Sequence, residues 1–509
     1  MNPPSIHSGR HAPLDMTPQE FRSVGHELVD RIADFLGGIG DRPVTLGESP
    51  QVIRELLKAE RPLPAEGTDA GELMASVSRL LFDHSLHNGH PRFLGYITSS
   101  GAPISMLGDL LAAAVNPNVG AWTLSPVASE IEAQVVRWIA EMVRFPEGSG
   151  GLLVSGGNMA NMAAFWAARV DAGGPSVRTD GTPSGHPLVV YGSAETHTWI
   201  QKATDLAGMG TNAMRWIPTT RDLRMDVDAL RNAMDLDISE GRRPMMVIGT
   251  AGSVSTGAVD PLRAIAEVCR ERGVWFHVDG AYGGLAAMLP DAPEELHHLD
   301  LADSVAVDPH KWLYAPLEAG CVLVRDAQKL RDAFSYHPPY YHFGVEAVNF
   351  VDLGPQNSRG FRALKVWLAL QQAGRDGYRR MLSDDIRLAR LLHETAEAHP
   401  ELQTSESGLS ISTFRYVPET LGARVGEPAV EAYLNDLNKA LQARLEAEGE
   451  VFLSNAVHHG MYVLRGCIVN FRTDEDDVRA IPEIVARVGR ELHEALQDGH
   501  PAAAGPGGS

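Results

Sequence analysis

A lysine and an aspartate each stand at the end of a short apolar run in this chain of 509 residues. Lys311 follows the run 305–307 behind an Asp-Pro turn, and Asp279 closes the run 274–278. Pyridoxal phosphate needs these two groups, because a lysine amine bonds its aldehyde and a carboxylate keeps its ring nitrogen protonated. The pair therefore predicts an enzyme that uses pyridoxal phosphate.

Both residues also have an ordinary structural interpretation. A lysine is most often solvated, and an aspartate at a strand end most often caps a turn or a helix. The flanking residues favour the cofactor, because Trp312 and Leu313 enclose Lys311, whose amine must lose a proton before it attacks an aldehyde. Small residues after Asp279, among them Ala281, let a flat ring approach.

The run 152–154 is followed by a Ser-Gly-Gly-Asn turn that opens a helical pattern. Glycine amides and a helix N-terminus bind anions, so Gly157 and Asn158 are predicted to hold the cofactor phosphate. A Gly-Gly turn is a weak signal alone, and it gains weight as the first turn of the same predicted sheet. The glycine fingerprints of dinucleotide and triphosphate sites are absent from the sequence, which argues against a nicotinamide dehydrogenase.

Other polar residues follow strand ends or crowd a loop. His197 can stack on a pyridine ring or bond loop backbone, and spacing alone does not separate the two. Ser253 can bond the ring hydroxyl or the phosphate, or cap a turn. His310 can reach the phosphate or the lysine linkage. The segment 336–342, rich in tyrosine and histidine, fits a mobile lid with a phenol proton donor, and an ordinary structured loop is the alternative.

Seven apolar runs in the middle of the chain predict an α/β fold. They are apolar throughout, which indicates strands buried on both faces. Helical patterns between most of them predict a mostly parallel seven-stranded sheet with helices on both faces and ligands beyond the carboxyl ends of the strands. The runs are 152–154, 188–191, 214–217, 245–248, 274–278, 305–307 and 321–324.

The chain is expected to divide into four parts. Residues 1–101 read as an N-terminal helical arm whose narrow apolar stripe must pack on something else, such as a second copy. Residues 102–374 read as a large cofactor-binding domain, and 375–497 as a small α+β domain with a strand at 467–472. Residues 498–509 read as a disordered tail.

Composition limits the partners and the location. A net charge of −21 argues against non-specific nucleic-acid binding. The three cysteines are widely spaced and read as reduced thiols, not as a disulfide framework, and no metal site is predicted. No run approaches the ~18 apolar residues of a membrane helix, and the N-terminus lacks the apolar stretch of a signal peptide, so the cytoplasm is the expected location.

Together these motifs resemble the group II pyridoxal-phosphate-dependent decarboxylases, the family of aromatic-L-amino-acid, glutamate and histidine decarboxylases. The likeness covers nearly the whole chain and is most specific in His-Val-Asp-x-Ala-Tyr at 277–282 and Pro-His-Lys-Trp at 309–312. It implies a fold of the aspartate-aminotransferase type. It also implies a homodimer with active sites at the interface.

The resemblance implies roles for single residues. Lys311 corresponds to the lysine that bonds the cofactor, Asp279 to the partner of the ring nitrogen and His197 to the stacking histidine. Tyr340 corresponds to the lid tyrosine that returns a proton to the decarboxylated carbon. The presence of both Tyr340 and His197 favours an amine product over an aldehyde. The remaining correspondences are Gly157 and Asn158 in the phosphate loop, Ala281 against the ring, Asp308 and His310 before the lysine, and Thr98 with Tyr96 at the substrate.

Two departures from the family pattern leave the substrate side chain open. The phosphate loop reads Gly-Gly-Asn where aromatic decarboxylases show Ala-Ser, and Gly120 stands where they often have a bulky aromatic residue. The sequence thus predicts decarboxylation of an L-amino acid, by preference an aromatic one. Acidic or diamino substrates, an aldehyde synthase, an aminotransferase or lyase, and a catalytically silent binding protein stay open as alternatives.

Overall fold

The computed structural model describes residues 12–182, 186–336 and 347–496, so Tyr340 lies outside the described residues. The α-helices are α1 (Pro18–Gly37), α2 (Pro50–Leu57), α3 (Ala70–His84), α4 (Pro103–Val115), α5 (Pro126–Met142), α6 (Gly157–Gly173), α7 (Ser176–Asp180), α8 (Trp199–Leu206), α9 (Val227–Ser239), α10 (Leu262–Arg272), α11 (Pro309–Trp312), α12 (Gln328–Phe334), α13 (Ala363–Ala398), α14 (Pro428–Glu448) and α15 (Glu475–Leu496). The strands are β1 (Phe93–Leu94), β2 (Gly150–Val154), β3 (Leu188–Ser193), β4 (Met214–Ile217), β5 (Arg243–Thr250), β6 (Trp275–Asp279), β7 (Ser304–Val307), β8 (Gly320–Val324), β9 (Leu402–Thr404), β10 (Ile411–Tyr416), β11 (Phe452–His458) and β12 (Met461–Cys467).

Seven strands form the main sheet, in the order β2-β8-β7-β6-β5-β3-β4. The pairs from β7 through β4 are parallel, whereas β8 lies antiparallel to both β2 and β7. Each of the seven apolar runs forms one of these strands, so the predicted mostly parallel sheet is confirmed.

An apolar core covers each face of this sheet. Val247 of β5 belongs to the core that contains Ile265 of α10. Its strand neighbours Met246 and Ile248 belong to the core that contains Phe165 of α6. Successive side chains of a strand point to opposite faces, so a run that is apolar throughout is what two covered faces require.

A second, five-stranded sheet has the order β1-β11-β12-β10-β9. The strand expected at 467–472 is wrong, because β12 ends at Cys467. Ile468 and Val469 continue the apolar run because they are buried in the core, although neither belongs to the strand. β1 comes from the first hundred residues and pairs in parallel with β11. The proposed division into domains stays a prediction.

The N-terminal arm begins with the expected helix. Thr17 accepts from the backbone N–H of Glu20, whose carboxylate accepts from the Thr17 N–H, and this capping box starts α1. Phe35 of α1 stacks on Phe82 of α3 at 4.5 Å. No residue of α1 is buried, however, and Phe21 is 60% exposed. None of the helices within the described ranges is both long and apolar enough to cross a membrane.

Candidate active site

A cavity of about 320 Å³ lies at the carboxyl ends of β2, β3, β5, β6 and β7, where the sequence places the ligand. Eight of the predicted site residues line it. They are Gly157, Asn158, His197, Asp279, Ala281, Asp308, His310 and Lys311. The remaining lining residues are Ser155, Gly156, Met159, Asn161, Glu195, Thr250, Gly252, Val254, Tyr282 and Glu318.

The turn between β2 and α6 makes a cradle of backbone atoms. The first turn of α6 carries no side-chain cap, so its N–H groups are available to a ligand. A Cβ on Gly157 would lie 2.6 Å from Asp308 Oδ2 and 3.1 Å from Ala281 Cβ. Only glycine fits there without displacing a neighbour, and the open amides suit a phosphate.

Lys311 lies in the one-turn helix α11 directly after β7. Its Nζ is 3.1 Å from Asp308 Oδ2, and Asp308 is almost fully buried. The second oxygen, Asp308 Oδ1, has no hydrogen-bond partner among the described residues. A buried carboxylate thus holds the amine and keeps one acceptor free beside it.

His310 fixes the same turn through both its backbone and its ring. Its Nδ1 lies 2.6 Å from the carbonyl oxygen of Ala319, and its own carbonyl accepts from the hydroxyl of Ser99 at 2.8 Å. Burial lowers the pKa of His310, although the nearby Asp308 carboxylate opposes this. The imidazole is therefore neutral at neutral pH and donates one proton.

Asp279 ends β6 and points into the cavity with three donors on it. Asn161 Nδ2 and Trp199 Nε1 donate to Oδ2 at 3.0 and 2.9 Å. The backbone N–H of Ala281 donates to Oδ1 at 3.2 Å. These three donors hold both oxygens of the carboxylate in place, where they can accept from the N–H of a protonated ring nitrogen.

His197 borders the cavity on the loop after β3. Burial and the nearby Lys311 lower the pKa of His197, whereas the Asp279 carboxylate raises it. Its Nδ1 accepts from the backbone N–H of Trp199 at 3.3 Å. A neutral ring that lines the same cavity as Ala281 and Asp279 provides a flat surface for a second ring.

Four further predicted residues that the structure describes do not line the cavity wall. Ser253 is buried and its hydroxyl contacts those of Ser255 and Thr256, although its neighbours Gly252 and Val254 do line the cavity. Residues that the sequence assigned to the substrate also lie elsewhere. They are Tyr96, Thr98 and Gly120.

Gly120 is held too closely to carry a side chain. A Cβ on it would lie 2.3 Å from the carbonyl oxygen of Asn357. Its own carbonyl accepts from the backbone N–H of Val351 at 2.9 Å. The position where relatives often have an aromatic residue is therefore glycine for a reason of packing.

Sequence reasoning missed several polar residues that hold this site. Asn161 and Trp199 were overlooked although the first lies one helical turn after Gly157 and the second lies two residues after His197. Arg465 is 2% exposed, donates to the carbonyls of Val254 and Tyr96, and has no partner for its Nε–H among the described residues. Nothing local in the sequence around β12 indicates such a role.

Asp385 of α13 was also missed. Its Oδ2 accepts from Trp312 Nε1 at 2.8 Å and from the Tyr314 hydroxyl at 2.7 Å. Burial raises the pKa of Asp385 to about 7. The carboxylate thereby fastens the turn that carries Lys311 to a helix of the C-terminal part of the chain.

The residues present fit pyridoxal phosphate. The cradle at Gly157 suits its phosphate, Lys311 its aldehyde, and Asp279 its ring nitrogen. His197 and Ala281 line the space for its ring. When bound, pyridoxal phosphate supplies an aldehyde that captures the amino group of an amino acid and a ring that takes up the electrons of a broken bond.

Comparison with known proteins agrees with this chemistry. Residues 50–417 match the model of the pyridoxal-dependent decarboxylase conserved domain. The chain is 31% identical to the aromatic-L-amino-acid decarboxylase of Bacillus atrophaeus, over 94% of this chain and 97% of that one. It is 28% identical to a phenylacetaldehyde synthase of a Rosa hybrid cultivar, over 91% and 92% of the two chains.

The fold also matches solved structures. The crystal structure of Oryza sativa TDC with PLP and tryptamine superposes with a TM-score of 0.87 at 27% identity, covering 95% of this chain and all of that one. The sequence match, the fold and the lysine–aspartate cavity agree with one another. This chain belongs to the pyridoxal-phosphate-dependent decarboxylase family and is an amino-acid decarboxylase that uses pyridoxal phosphate.

Proposed function

We propose that this chain decarboxylates an aromatic L-amino acid to the corresponding amine and CO₂. The observation that carries this proposal is the likeness, over more than nine-tenths of the chain, to the aromatic-L-amino-acid decarboxylase of Bacillus atrophaeus. The solved Oryza sativa TDC, which holds tryptamine, supports the same substrate class.

The charges of the cavity wall favour this class over acidic amino acids. Glu195 and Glu318 both line the cavity. Glu318 pairs with Arg362, whereas the Glu195 carboxylate accepts a hydrogen bond from the hydroxyl of Ser255 and has no cationic partner among the described residues. This negative charge would repel a side-chain carboxylate, whereas it would not repel an aromatic side chain and would attract a cationic one.

Three side chains divide the work in this proposal. Lys311 would hold the cofactor through its aldehyde, and its amine would be free while the substrate amino group takes that place. Asp279 keeps the ring nitrogen protonated, so that the electron pair left by CO₂ is stabilised. Arg465 positions the segments around Tyr96 and Val254 through hydrogen bonds to both backbone carbonyls, and Val254 lines the cavity.

Substrate screening tests the proposal directly. The enzyme loaded with pyridoxal phosphate is incubated separately with tyrosine, tryptophan, phenylalanine, glutamate, aspartate and 2,4-diaminobutyrate, and CO₂ and keto acids are measured. We expect CO₂ from an aromatic substrate and no keto acid. Release of CO₂ only from glutamate or aspartate would contradict the proposed aromatic substrate. Release of CO₂ only from 2,4-diaminobutyrate would also contradict it and would indicate a cationic substrate.

An aldehyde product is the second candidate, because one relative is a phenylacetaldehyde synthase. We propose that the Tyr340 hydroxyl returns a proton to the decarboxylated carbon and so directs the product to the amine. Tyr340→Phe should keep the cofactor bound and, in the presence of dioxygen as the electron acceptor, divert product toward the aldehyde with release of ammonia and hydrogen peroxide. Tyr336→Phe is the matched control and should leave the product unchanged. Unaltered amine from Tyr340→Phe would remove this role from the tyrosine.

We also propose that two copies form a homodimer through the N-terminal part of the chain. Support comes from large apolar side chains that are half exposed or more on neighbouring helices. They are Phe21, Leu57, Leu81, Leu107, Leu110, Leu111, Val115 and Val127. Apolar side chains exposed on five helices of one part of the chain are what a second copy could cover. Sedimentation of the full chain tests this, and a concentration-independent monomer would contradict it.

We place the enzyme in the cytoplasm. All three cysteines, Cys269, Cys321 and Cys467, are free and buried, which is usual where thiols stay reduced. Fractionation of the producing cells tests the location, and recovery only outside the cytoplasm would contradict it.

A further inference from the structure

A continuous series of hydrogen bonds lies behind Asp279. Asn161 Nδ2 donates to Asp279 Oδ2 at 3.0 Å, and Asn161 Oδ1 lies 2.7 Å from His277 Nε2. His277 Nδ1 lies 2.8 Å from the hydroxyl of Ser304, which also accepts from the indole N–H of Trp275 at 2.8 Å. We call Ser304, His277 and Asn161 the Asp279 relay.

The period of the strand brings these groups together. Trp275, His277 and Asp279 alternate along β6 and therefore lie on one face of the sheet. Ser304 of β7 stands opposite His277 in the register of the two strands. Asn161 comes from α6, which packs on the same strands. His277 and Ser304 are fully buried, so water does not compete for these bonds.

Only one assignment of donors and acceptors satisfies every hydrogen bond of the Asp279 relay. Asp279 can only accept, so the Asn161 amide must present its nitrogen to Asp279 and its oxygen to His277. His277 Nε2 must therefore carry the imidazole proton. Burial lowers the pKa of His277 to about 4, so the ring is neutral and Nδ1 is an acceptor. Ser304 then donates to Nδ1 while it accepts from Trp275.

The result at Asp279 is an asymmetric carboxylate. Oδ2 accepts from both Asn161 and the indole of Trp199, which is also fully buried. Oδ1 accepts the longer bond from the Ala281 backbone N–H at 3.2 Å. Oδ1 is therefore the oxygen with capacity left for a further donor.

We propose that the Asp279 relay, together with Trp199, fixes the Asp279 carboxylate so that Oδ1 serves the ring nitrogen of pyridoxal phosphate. Without the N–H of His277, the Asn161 carbonyl loses its donor, and only the charge of Asp279 still opposes a flip that presents this carbonyl to the carboxylate. That flip would replace an attraction with a repulsion next to the cofactor. The relay members and Trp199 are thus positioning residues. The inference rests on the use of pyridoxal phosphate and not on the choice of substrate.

Binding of two cofactor forms to the apoenzyme tests this role. One is pyridoxal phosphate, and the other is its 1-deaza analogue, in which a C–H replaces the ring nitrogen. We expect His277→Leu and Trp199→Phe to weaken pyridoxal phosphate binding about tenfold, since each removes a buried donor, and to change analogue binding less than twofold. His277→Gln keeps an N–H near the position of Nε2 and should stay within about threefold of the wild type.

A matched control removes a buried histidine elsewhere. His493 is 9% exposed and its Nδ1 bonds the Tyr433 hydroxyl at 2.7 Å. His493→Leu should leave binding of both cofactor forms unchanged. Equal losses for the two forms, or no loss in Trp199→Phe, would overturn the proposal that these donors fix Asp279. Trp199→Phe decides the matter if His277→Leu does not fold. A wild-type chain that fails to bind pyridoxal phosphate would overturn the function itself.

Discussion

Replacing Asp385 by asparagine tests how the turn that carries Lys311 is fastened. Asp385 is fully buried in α13, and its Oδ2 accepts from Trp312 and Tyr314, which lie one and three residues after the lysine. Burial raises the pKa of Asp385 from the ordinary 3.8 to about 7. The folded chain therefore holds a proton that the unfolded chain releases near pH 4.

The sign of the pH dependence follows from this shift. A carboxyl that binds its proton more tightly when folded stabilises the fold at low pH, and this stability is lost as the pH rises through the folded pKa. The difference between about 7 and 3.8 corresponds to about 4 kcal/mol, of which about 3 kcal/mol is lost between pH 5 and 8. Asparagine does not titrate, so Asp385→Asn removes this slope.

Urea unfolding of the wild type and of Asp385→Asn at pH 5 and pH 8 measures the effect. The free energy of unfolding of the wild type, relative to the variant, should fall by about 3 kcal/mol between the two pH values. Asp384→Asn is the matched control, because Asp384 is exposed and pairs with Arg387 on the surface. Parallel pH profiles for wild type and Asp385→Asn would refute the reasoning.

Three further predictions concern the site and its support. Gly157→Ala should weaken pyridoxal phosphate binding at least tenfold, because its Cβ meets Asp308 at 2.6 Å, and equilibrium titration measures this. Arg359→Met should lower the free energy of unfolding by about 3–5 kcal/mol, because it leaves the charge of the fully buried Glu132 without its cation. Urea unfolding measures this loss, and adding Glu132→Gln should recover most of it. Burial lowers the pKa of His277 to about 4, so the folded chain resists protonation that the unfolded chain accepts. The free energy of unfolding of the wild type, relative to His277→Gln, should therefore fall by up to about 3 kcal/mol between pH 6.5 and pH 4, as measured by urea unfolding.

The parts of the site that follow strand ends could be predicted from the sequence. Lys311, Asp279 and Gly157 each come directly after an apolar run, and parallel strands bring such ends to one edge of the sheet. The pattern that predicts the strands therefore also predicts which polar residues meet. It does not state which contacts they make across the sheet, although the pairing of Lys311 with Asp308 follows the three-residue spacing of a single helical turn.

The residues that hold the site could not be predicted, because their partners are remote in the chain. Asn161 is 118 residues from Asp279, and Trp199 is 80 residues from it. Arg465 is 369 residues from Tyr96. A local pattern shows that such residues lie on buried helices or strands, but only the packed structure shows which buried group each of them satisfies.

The turn that carries Lys311 makes hydrogen bonds to both the N-terminal and the C-terminal part of the chain. Ser99, before α4, donates to the His310 carbonyl, and Asp385, in α13, accepts from Trp312 and Tyr314. The strand before Lys311 sets where the amine lies. The contact with Ser99, of one hydrogen bond, and the contact with Asp385, of two, set how firmly the turn is held. Because both contacts form only when the N-terminal and C-terminal parts are packed on the main sheet, a loss of packing in either part should appear first as weaker cofactor binding, before the sheet itself unfolds.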